Sequence, residues 1–409
     1  MRKYGIRLSI ALAALVAAAP AVATNGMRLV GFGPIQNAMG GASVAAPLDA
    51  AVLVTNPAGL SALGPRVDLS GGLIAPSVEY RATGLASGQT IESDRPPTFI
   101  PTLAMVYRTD ERLTLGLATL ATAGLGVDYP ADLYGSATYT SFTNARLAPA
   151  ASYRITDRLS FGAALNVMYA MLEYEIGGGM GMAPREEASA LGVGATVGVS
   201  YRPIDAVTLA AAYETRSRFQ DFSFDVPSHT IQTPGGPVTV AGGEETLALD
   251  QPQAATIGVA VRPVAPLLLA ADVQWVRWSE VVGAGQPEFT SDPAVTGGQR
   301  LDLSWDDQLV LKVGAEWAAT SALRLRAGYN YGKSPLDPDR ALENLAFPGV
   351  AEHHFTAGAG WEHGALAVNA SVAFSPKSEV EGANASQGIL AYETSMSQLG
   401  FELGMGWRF

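Results

Sequence analysis

Residues 398–409 alternate without a break. Leu399, Phe401, Leu403, Met405, Trp407 and Phe409 are apolar, whereas Gln398, Gly400, Glu402, Gly404, Gly406 and Arg408 between them are polar or small. A helical repeat would scatter both sets around its axis, while a period of two puts each on its own side, so the segment reads as a strand with one greasy face. The same signal runs back through most of the chain. It predicts strands at 67–81, 98–108, 113–127, 140–154, 159–169, 191–202, 207–219, 248–262, 267–278, 303–317, 323–332, 353–362 and 366–375, about fourteen with the last.

The connections alternate too. Short turns fall at 109–111, 156–157, 203–205, 263–266, 318–322 and 363–364, and between them come long polar loops at 82–97, 128–139, 176–187, 220–247, 279–302, 333–352 and 376–395. Short turns on one side and long loops on the other are the signature of an outer-membrane barrel with both termini on the periplasmic side. The expected fold class is therefore all-β, a transmembrane antiparallel barrel over residues 66–409.

Residues 24–65 do not alternate. They read as Gly- and Ala-rich coil with two weak helical pieces at 35–45 and 48–54, then Asn56-Pro57, where Asn caps a helical turn and Pro suits its first position. Too polar to cross lipid and too small to fold alone, this stretch fits inside the barrel as a plug, or hatch. Ahead of it, residues 1–23 carry Arg2, Lys3 and Arg7, an apolar run and a terminal Ala21-Val22-Ala23, which is a secretory signal peptide cut near Ala23.

Composition supports a membrane barrel. Charged residues are 16% of the chain, below the roughly 25% of soluble domains, while 45 glycines and 48% hydrophobic residues suit close-packed strands facing lipid. With no cysteine there is no disulfide, thiol nucleophile or cysteine metal site. Loss of the signal, with three basic and no acidic residues, moves the formal charge from −12 to −15, which disfavours nucleic acid as a partner. Asp49, Arg262, Pro266 and Asp272 interrupt the best apolar stretches before a spanning helix is reached. A closed barrel is then the remaining way to cross.

Catalytic chemistry finds little footing. The histidines are His229, His353, His354 and His363, none in a hydrolase motif, and adjacent strand residues such as His353 and His354 point to opposite faces. No metal or cofactor is expected. A general porin would carry a constriction loop and a charged eyelet instead of a Gly/Ala-rich plug. If Leu147, Leu311, Val313, Leu323 and Leu325 face lipid, then Arg146, Lys312, Arg324 and Arg326 face the lumen. There they can meet a ligand carboxylate or pair with a neighbour such as Glu316.

The plug also carries a motif. Asn25-Gly26 is followed by Gly31, Gly33, Met39-Gly40-Gly41-Ala42, Ala50-Ala51 and Asn56-Pro57-Ala58-Gly59-Leu60, and later come Trp278-Ser279, Leu325-Arg326-Ala327-Gly328-Tyr329, Ser334-Pro335, Phe347-Pro348 and Phe355-Thr356-Ala357-Gly358. In that order these resemble the FadL-type long-chain fatty acid and hydrocarbon transporters. The resemblance implies a monomer of fourteen strands in outer-membrane lipid and lipopolysaccharide, delivered by the barrel-assembly machinery through the strand ending at Phe409. It implies that fatty acids or hydrocarbons pass by diffusion through an outer groove and a lumenal pocket into the bilayer. It assigns gating to Asn56, Pro57, Ala58, Gly40 and Gly41, and ligand sensing to Thr24, Asn25, Gly26 and Met27, although Met27 stands where an aromatic residue would be expected. The sideways exit would be a kink in the third strand, at Ala123, Gly124 and Gly126. Long-chain fatty acids are the expected substrate, and aromatic hydrocarbons the alternative.

Overall fold

The computed structural model describes residues 25–84, 87–130, 137–176, 182–233, 236–286, 289–291, 302–340 and 343–409. The signal-peptide expectation and Thr24 lie outside them. Fourteen barrel strands follow one another: β1 Arg66–Gly84, β2 Thr98–Arg108, β3 Leu113–Tyr129, β4 Thr138–Thr156, β5 Leu159–Ile176, β6 Met182–Ile204 and β7 Val207–Glu214. The second half is β8 Ala254–Val264, β9 Leu267–Val276, β10 Gln308–Ala318, β11 Leu323–Gly332, β12 His353–His363, β13 Leu366–Asn384 and β14 Ile389–Arg408. Each strand pairs antiparallel with the next, and β14 pairs with β1 from Arg66↔Arg408 to Gly84↔Ile389, so the sheet closes on itself.

The alternation read in β14 is the alternation observed. Leu399, Phe401, Leu403, Met405 and Trp407 are each just over half exposed on the outside, and Gln398 and Glu402 are buried on the inside. Outward Leu165, Leu191, Ile257, Leu311 and Trp317 continue this apolar face around the wall. In hydrocarbon, only a closed ladder pairs the strand N–H and C=O groups, and the pairing of β14 with β1 removes the two end edges of the sheet.

Several boundaries differ from those expected. The stretch 376–395, expected as loop, instead extends β13 and β14 as a hairpin, with a bulge between Ser375 and Ser378 that accommodates Pro376. Most of 82–97 is likewise sheet, since Ser87–Glu92 pairs with the end of β1, and short strand pairs at Phe222–Val226 with Gly243–Leu247 and His229–Thr233 with Gly236–Val240 occupy part of 220–247. Beyond the lipid the outward positions of such strands are polar, so the strands stay paired without an apolar outer row, although Ile389, Tyr392 and Met396 of β14 remain buried on the inside. Conversely, β8 starts at Ala254 and not at 248, and β10 starts at Gln308, after Ser304 takes a positive φ of 49°.

Residues 25–65 lie within the barrel. Their helices are shorter than expected: α1 spans Gly33–Ala38 and α2 Val52–Thr55, followed by a 3-10 turn, Pro57–Ala62. Helix α1 stops because Gly40 and Gly41 take φ of +64° and +80°, a conformation outside the helical region. Apolar side chains from this stretch, including Val52, Leu53 and Leu60, pack with Ile100, Val106 and Leu120 of the wall.

Leu403 sits midway along the lipid-facing run of β14. Replacing it with arginine should cost about 2–4 kcal/mol, read as a lowered urea midpoint for the barrel refolded into lipid vesicles; an unchanged midpoint would contradict the assigned outer face.

Candidate functional site

The wall is interrupted at one strand. Along β3 the register with β4 shifts between Ala121 and Ala123, a bulge at Thr122, and pairing between β2 and β3 ends at Thr102↔Leu120 although both strands run on. A bulge bends its strand and releases ladder bonds. Here the plug takes some of them up. Gly124 N donates to Met27 O at 3.0 Å, Leu29 N donates to Thr122 O at 3.4 Å, and Arg28 forms a bridge pair with Ala123.

Two groups of residues expected from the sequence thus meet: Asn25, Gly26 and Met27 with Ala123 and Gly124. Asn25 and Arg28 exchange backbone hydrogen bonds of 3.0 and 3.2 Å to close a tight turn, Gly26 supports it at φ +63° beside Trp278, and Met27 is fully buried in an apolar cluster with Leu125 and Phe142. Gly126 has a different task. An added Cβ there would meet Thr140 O and the Arg95 guanidinium, so this glycine makes room for Arg95, which donates to Thr140 O at 2.9 Å.

The released edge borders a cavity of about 200 Å³. Leu120, Arg146 and Met168 line it from the lumenal side, and Leu147, Val167 and Leu191 from the lipid side. Its lining is mostly apolar, with Thr119, Thr143, Tyr169 and Arg146 as the polar members.

Arg146 also leads to a charged cavity under the strip 28–30. Arg28 and Arg146 both form ion pairs with Glu214 at the end of β7. Lys312 lines the same cavity as Arg28 and Glu214, and Asp272, beside it, accepts from Ser43 N at 2.8 Å and Val44 N at 3.0 Å. Among these five groups one positive charge is in surplus. Lys312 forms no hydrogen bond or ion pair among the described residues. The two other cations expected to meet ligand do not reach this space: Arg326 is held by Glu316 at 2.8 Å and Asn369 at 3.0 Å, and Arg324 lies 3.5 Å from Glu362. The pairing of Arg28 with Glu214 was missed from the sequence, because it spans 186 positions and no local pattern encodes it.

The Asn56-Pro57-Ala58 motif fastens the plug elsewhere. Asn56 caps the 3-10 turn, its Oδ1 accepting from Ala58 N at 3.1 Å, and its Nδ2 donates to Val44 O at 2.8 Å and Val199 O at 3.4 Å. Gly162 and Gly198 leave the wall bare where Pro57, Ala58 and Asn56 press against it. Ser152 Oγ donates to Ala58 O at 3.1 Å, and Arg154 and Arg108 hold Ser61 O and Leu63 O at 2.6 and 2.7 Å. The motif's hydrogen bonds therefore run to β4 and β6, while residues 27–29 meet the β3 bulge. Gly40 is pinned to the opposite wall, its N donating to Thr356 Oγ1 at 3.1 Å.

Within the plug, Gln36 Nε2 donates to Asp49 at 3.1 Å. Burial, then the neighbouring Asp68 carboxylate, pushes Asp49 up to about 6. A carboxyl raised on folding stabilises the protonated plug and loses that contribution as pH rises through about 6. The shift corresponds to at most about 3 kcal/mol.

The family model described as outer membrane protein transport protein (OMPP1/FadL/TodX) matches residues 10–409. No curated protein matches the chain. Among solved structures, the P. putida toluene transporter TodX is similar at 20% identity and a TM-score of 0.75, over 93% of this chain and 99% of that one. A Pseudomonas aeruginosa FadL homologue is 17% identical with a TM-score of 0.75, over 94% and 100%. The Ralstonia pickettii toluene transporter TbuX is 21% identical with a TM-score of 0.69, over 93% and 99%.

Two outcomes follow for the plug. An added methyl at Gly40 would sit 2.6 Å from Tyr329 N on a backbone of positive φ, so Gly40→Ala should loosen the plug and give ion conductance in planar bilayers where the unaltered barrel is nearly silent. Equal silence in both would show that Gly40 does not hold the plug. The urea midpoint should fall between pH 5 and pH 8 more steeply than in Asp49→Asn; parallel curves would remove Asp49 as the cause.

Proposed function

The chain belongs to the outer membrane protein transport protein family (OMPP1/FadL/TodX), and from that premise we propose that it takes up long-chain fatty acids by passive diffusion, releasing them sideways into the bilayer at the β3 bulge. The supporting observation is the surplus cation of the charged cavity, with Arg146 lining both that ion-pair network's edge and the lateral breach. A carboxylate entering beside Lys312 and Arg146 would balance the charge. Its alkyl chain gains about 0.8 kcal/mol for each CH₂ buried, so an apolar way into lipid suits it and a water-filled pore does not. The concentration gradient drives the movement.

In this reading residues 24–65 are a hatch. Asn25, Gly26 and Met27, with Thr24 before them, register the ligand, because their turn is hydrogen-bonded to the strand segment that must part. Asn56, Pro57, Ala58, Gly40 and Gly41 keep the rest of the hatch fixed while that turn moves. The signal peptide is removed near Ala23, the strand ending at Phe409 is presented to the assembly machinery, and the barrel works as a monomer in outer-membrane lipid and lipopolysaccharide. Members of the family are transport proteins, and His354, the buried histidine, has no hydrogen-bond partner that it could activate as a hydrolase base.

Aromatic hydrocarbons are the second reading. Leu120, Leu147, Val167, Met168 and Met171 give the breach soft apolar walls that need no head group, and TodX and TbuX are toluene transporters.

Uptake of labelled oleate and toluene, by cells lacking their own fatty acid channel and expressing this protein, separates the two. Replacing Arg146 and Lys312 together with methionine should cut oleate uptake at least tenfold and leave toluene uptake unchanged. Heat-modifiable mobility would establish assembly. Toluene uptake without oleate uptake by the unaltered protein would transfer the assignment to hydrocarbons, and neither by an assembled barrel would refute both.

A further inference from the structure

The ladder between β2 and β3 ends at a proline. Thr109 N donates to Leu113 O at 3.0 Å across the turn that joins the two strands, and in an antiparallel ladder hydrogen-bonded pairs recur at every second residue. Tyr107, Met105, Leu103 and then Pro101 therefore aim their backbone groups at β3. The register sets Pro101 opposite Ala121, one step beyond the last pair, Thr102↔Leu120. That rung calls for two bonds. Pro101 O can accept from Ala121 N, but a proline has no N–H to give to Ala121 O.

The loss is not repaired further along, because β3 changes sides at the same level. Arg154 N donates to Arg112 O at 2.8 Å, so the even-numbered residues of β3 face β4 and the odd-numbered ones, up to Ala121, face β2. Past the bulge the order reverses. Thr122 O and Gly124 N turn toward the gap and bond Leu29 and Met27 of the plug. Pro149 of β4 supplies the contrast. It faces β5 and removes pairs from that ladder, yet the register holds and pairing stands on both sides of it, at Leu147↔Val167 and Ala150↔Ala164. A proline alone interrupts a ladder, and a proline level with a bulge ends one.

In hydrocarbon, any other residue at position 101 would carry an N–H that must find a partner. Ala121 O is the acceptor that the register offers, and reaching it would draw β2 onto β3. Pro101 lines the cavity beside the bulge together with Leu120 and Ala121, so that movement would narrow it.

We propose that Pro101 is the positioning residue of the lateral exit. It stops β2 one rung short and reserves the edge of β3 for residues 27–29, a partner that belongs to the plug and can withdraw, as a strand of the wall cannot. The inference rests on the lateral route of the transport reading and holds for either substrate.

The test restores the missing donor with Pro101→Ala and uses Pro149→Ala as the control, both checked for heat-modifiable mobility. Hydrogen–deuterium exchange of the mature barrel in detergent, read by mass spectrometry of the β2 peptide, should show the amide added by Pro101→Ala to be slow. Uptake of oleate or toluene, whichever the unaltered protein carries, should fall at least fivefold in that variant and stay unchanged in Pro149→Ala. An added amide that exchanges as fast as those of exposed turns would overturn the proposal, as would undiminished uptake by the assembled Pro101→Ala barrel or an equal fall in the control. Failure of the transport reading looks different: the unaltered barrel would carry neither substrate, while the exchange measurement, which needs no ligand, would still decide whether Pro101 ends the ladder.

Discussion

The pairing of backbone hydrogen bonds along β3 is the constraint on which the rest of the molecule depends. A strand inside lipid cannot leave its N–H and C=O groups unpaired, and β3 parts from β2 beyond Leu120 while remaining in the wall. The missing partner comes from inside. Met27 O and Leu29 N act as a short surrogate strand for Gly124 and Thr122, so the plug's first residues belong as much to the wall as to the lumen. Displacing them exposes the edge of β3, and replacing them closes it. In the proposed cycle this exchange couples arrival of a ligand beside Arg28 to opening of a path into lipid.

The anchoring of the plug follows the same logic. If residues 27–29 are to move, something must keep the remainder in place. Asn56 with Ser152, Arg108 and Arg154 fixes one end, and Gly40 against Thr356 fixes another. Bare glycines in the wall, Gly162 and Gly198 on one side and Gly314 and Gly328 on the other, let plug backbone approach where a side chain would intervene. Many of the chain's 45 glycines thus serve contact between two backbones within the barrel.

Much of this architecture was legible in the sequence because lipid imposes a strict period of two. β14 and β5 could be read residue by residue, and the Asn56-Pro57 cap and the β3 bend near Ala123 stood in local signals. Signals failed where that solvent asymmetry ends. The upper halves of β13 and β14 lack an apolar outer row, so residues 376–395 resembled a loop although Ile389 and Tyr392 are buried inside. In the plug, the apolar run at 35–45 suggested a helix, but Gly40 and Gly41 turn the chain to meet Tyr329 and Val30. Lumenal charges were legible as lumenal but not as partners. Lys312 lines the charged cavity and Arg146 pairs with Glu214 at its edge, while Glu316 and Glu362 occupy Arg326 and Arg324, and the Arg28–Glu214 pair joins residues that no window contains.

The central claim is that the plug's N-terminal strip must leave β3 for a ligand to pass. Arg28 and Ala123 are bridge partners, a separation that suits a disulfide, and the chain has no cysteine of its own. Oleate uptake by cells expressing Arg28→Cys with Ala123→Cys, measured before and after reduction of the cross-link, tests it directly. The account predicts uptake that is lost while the disulfide is closed and returns on reduction; uptake at the same rate in both states would contradict it.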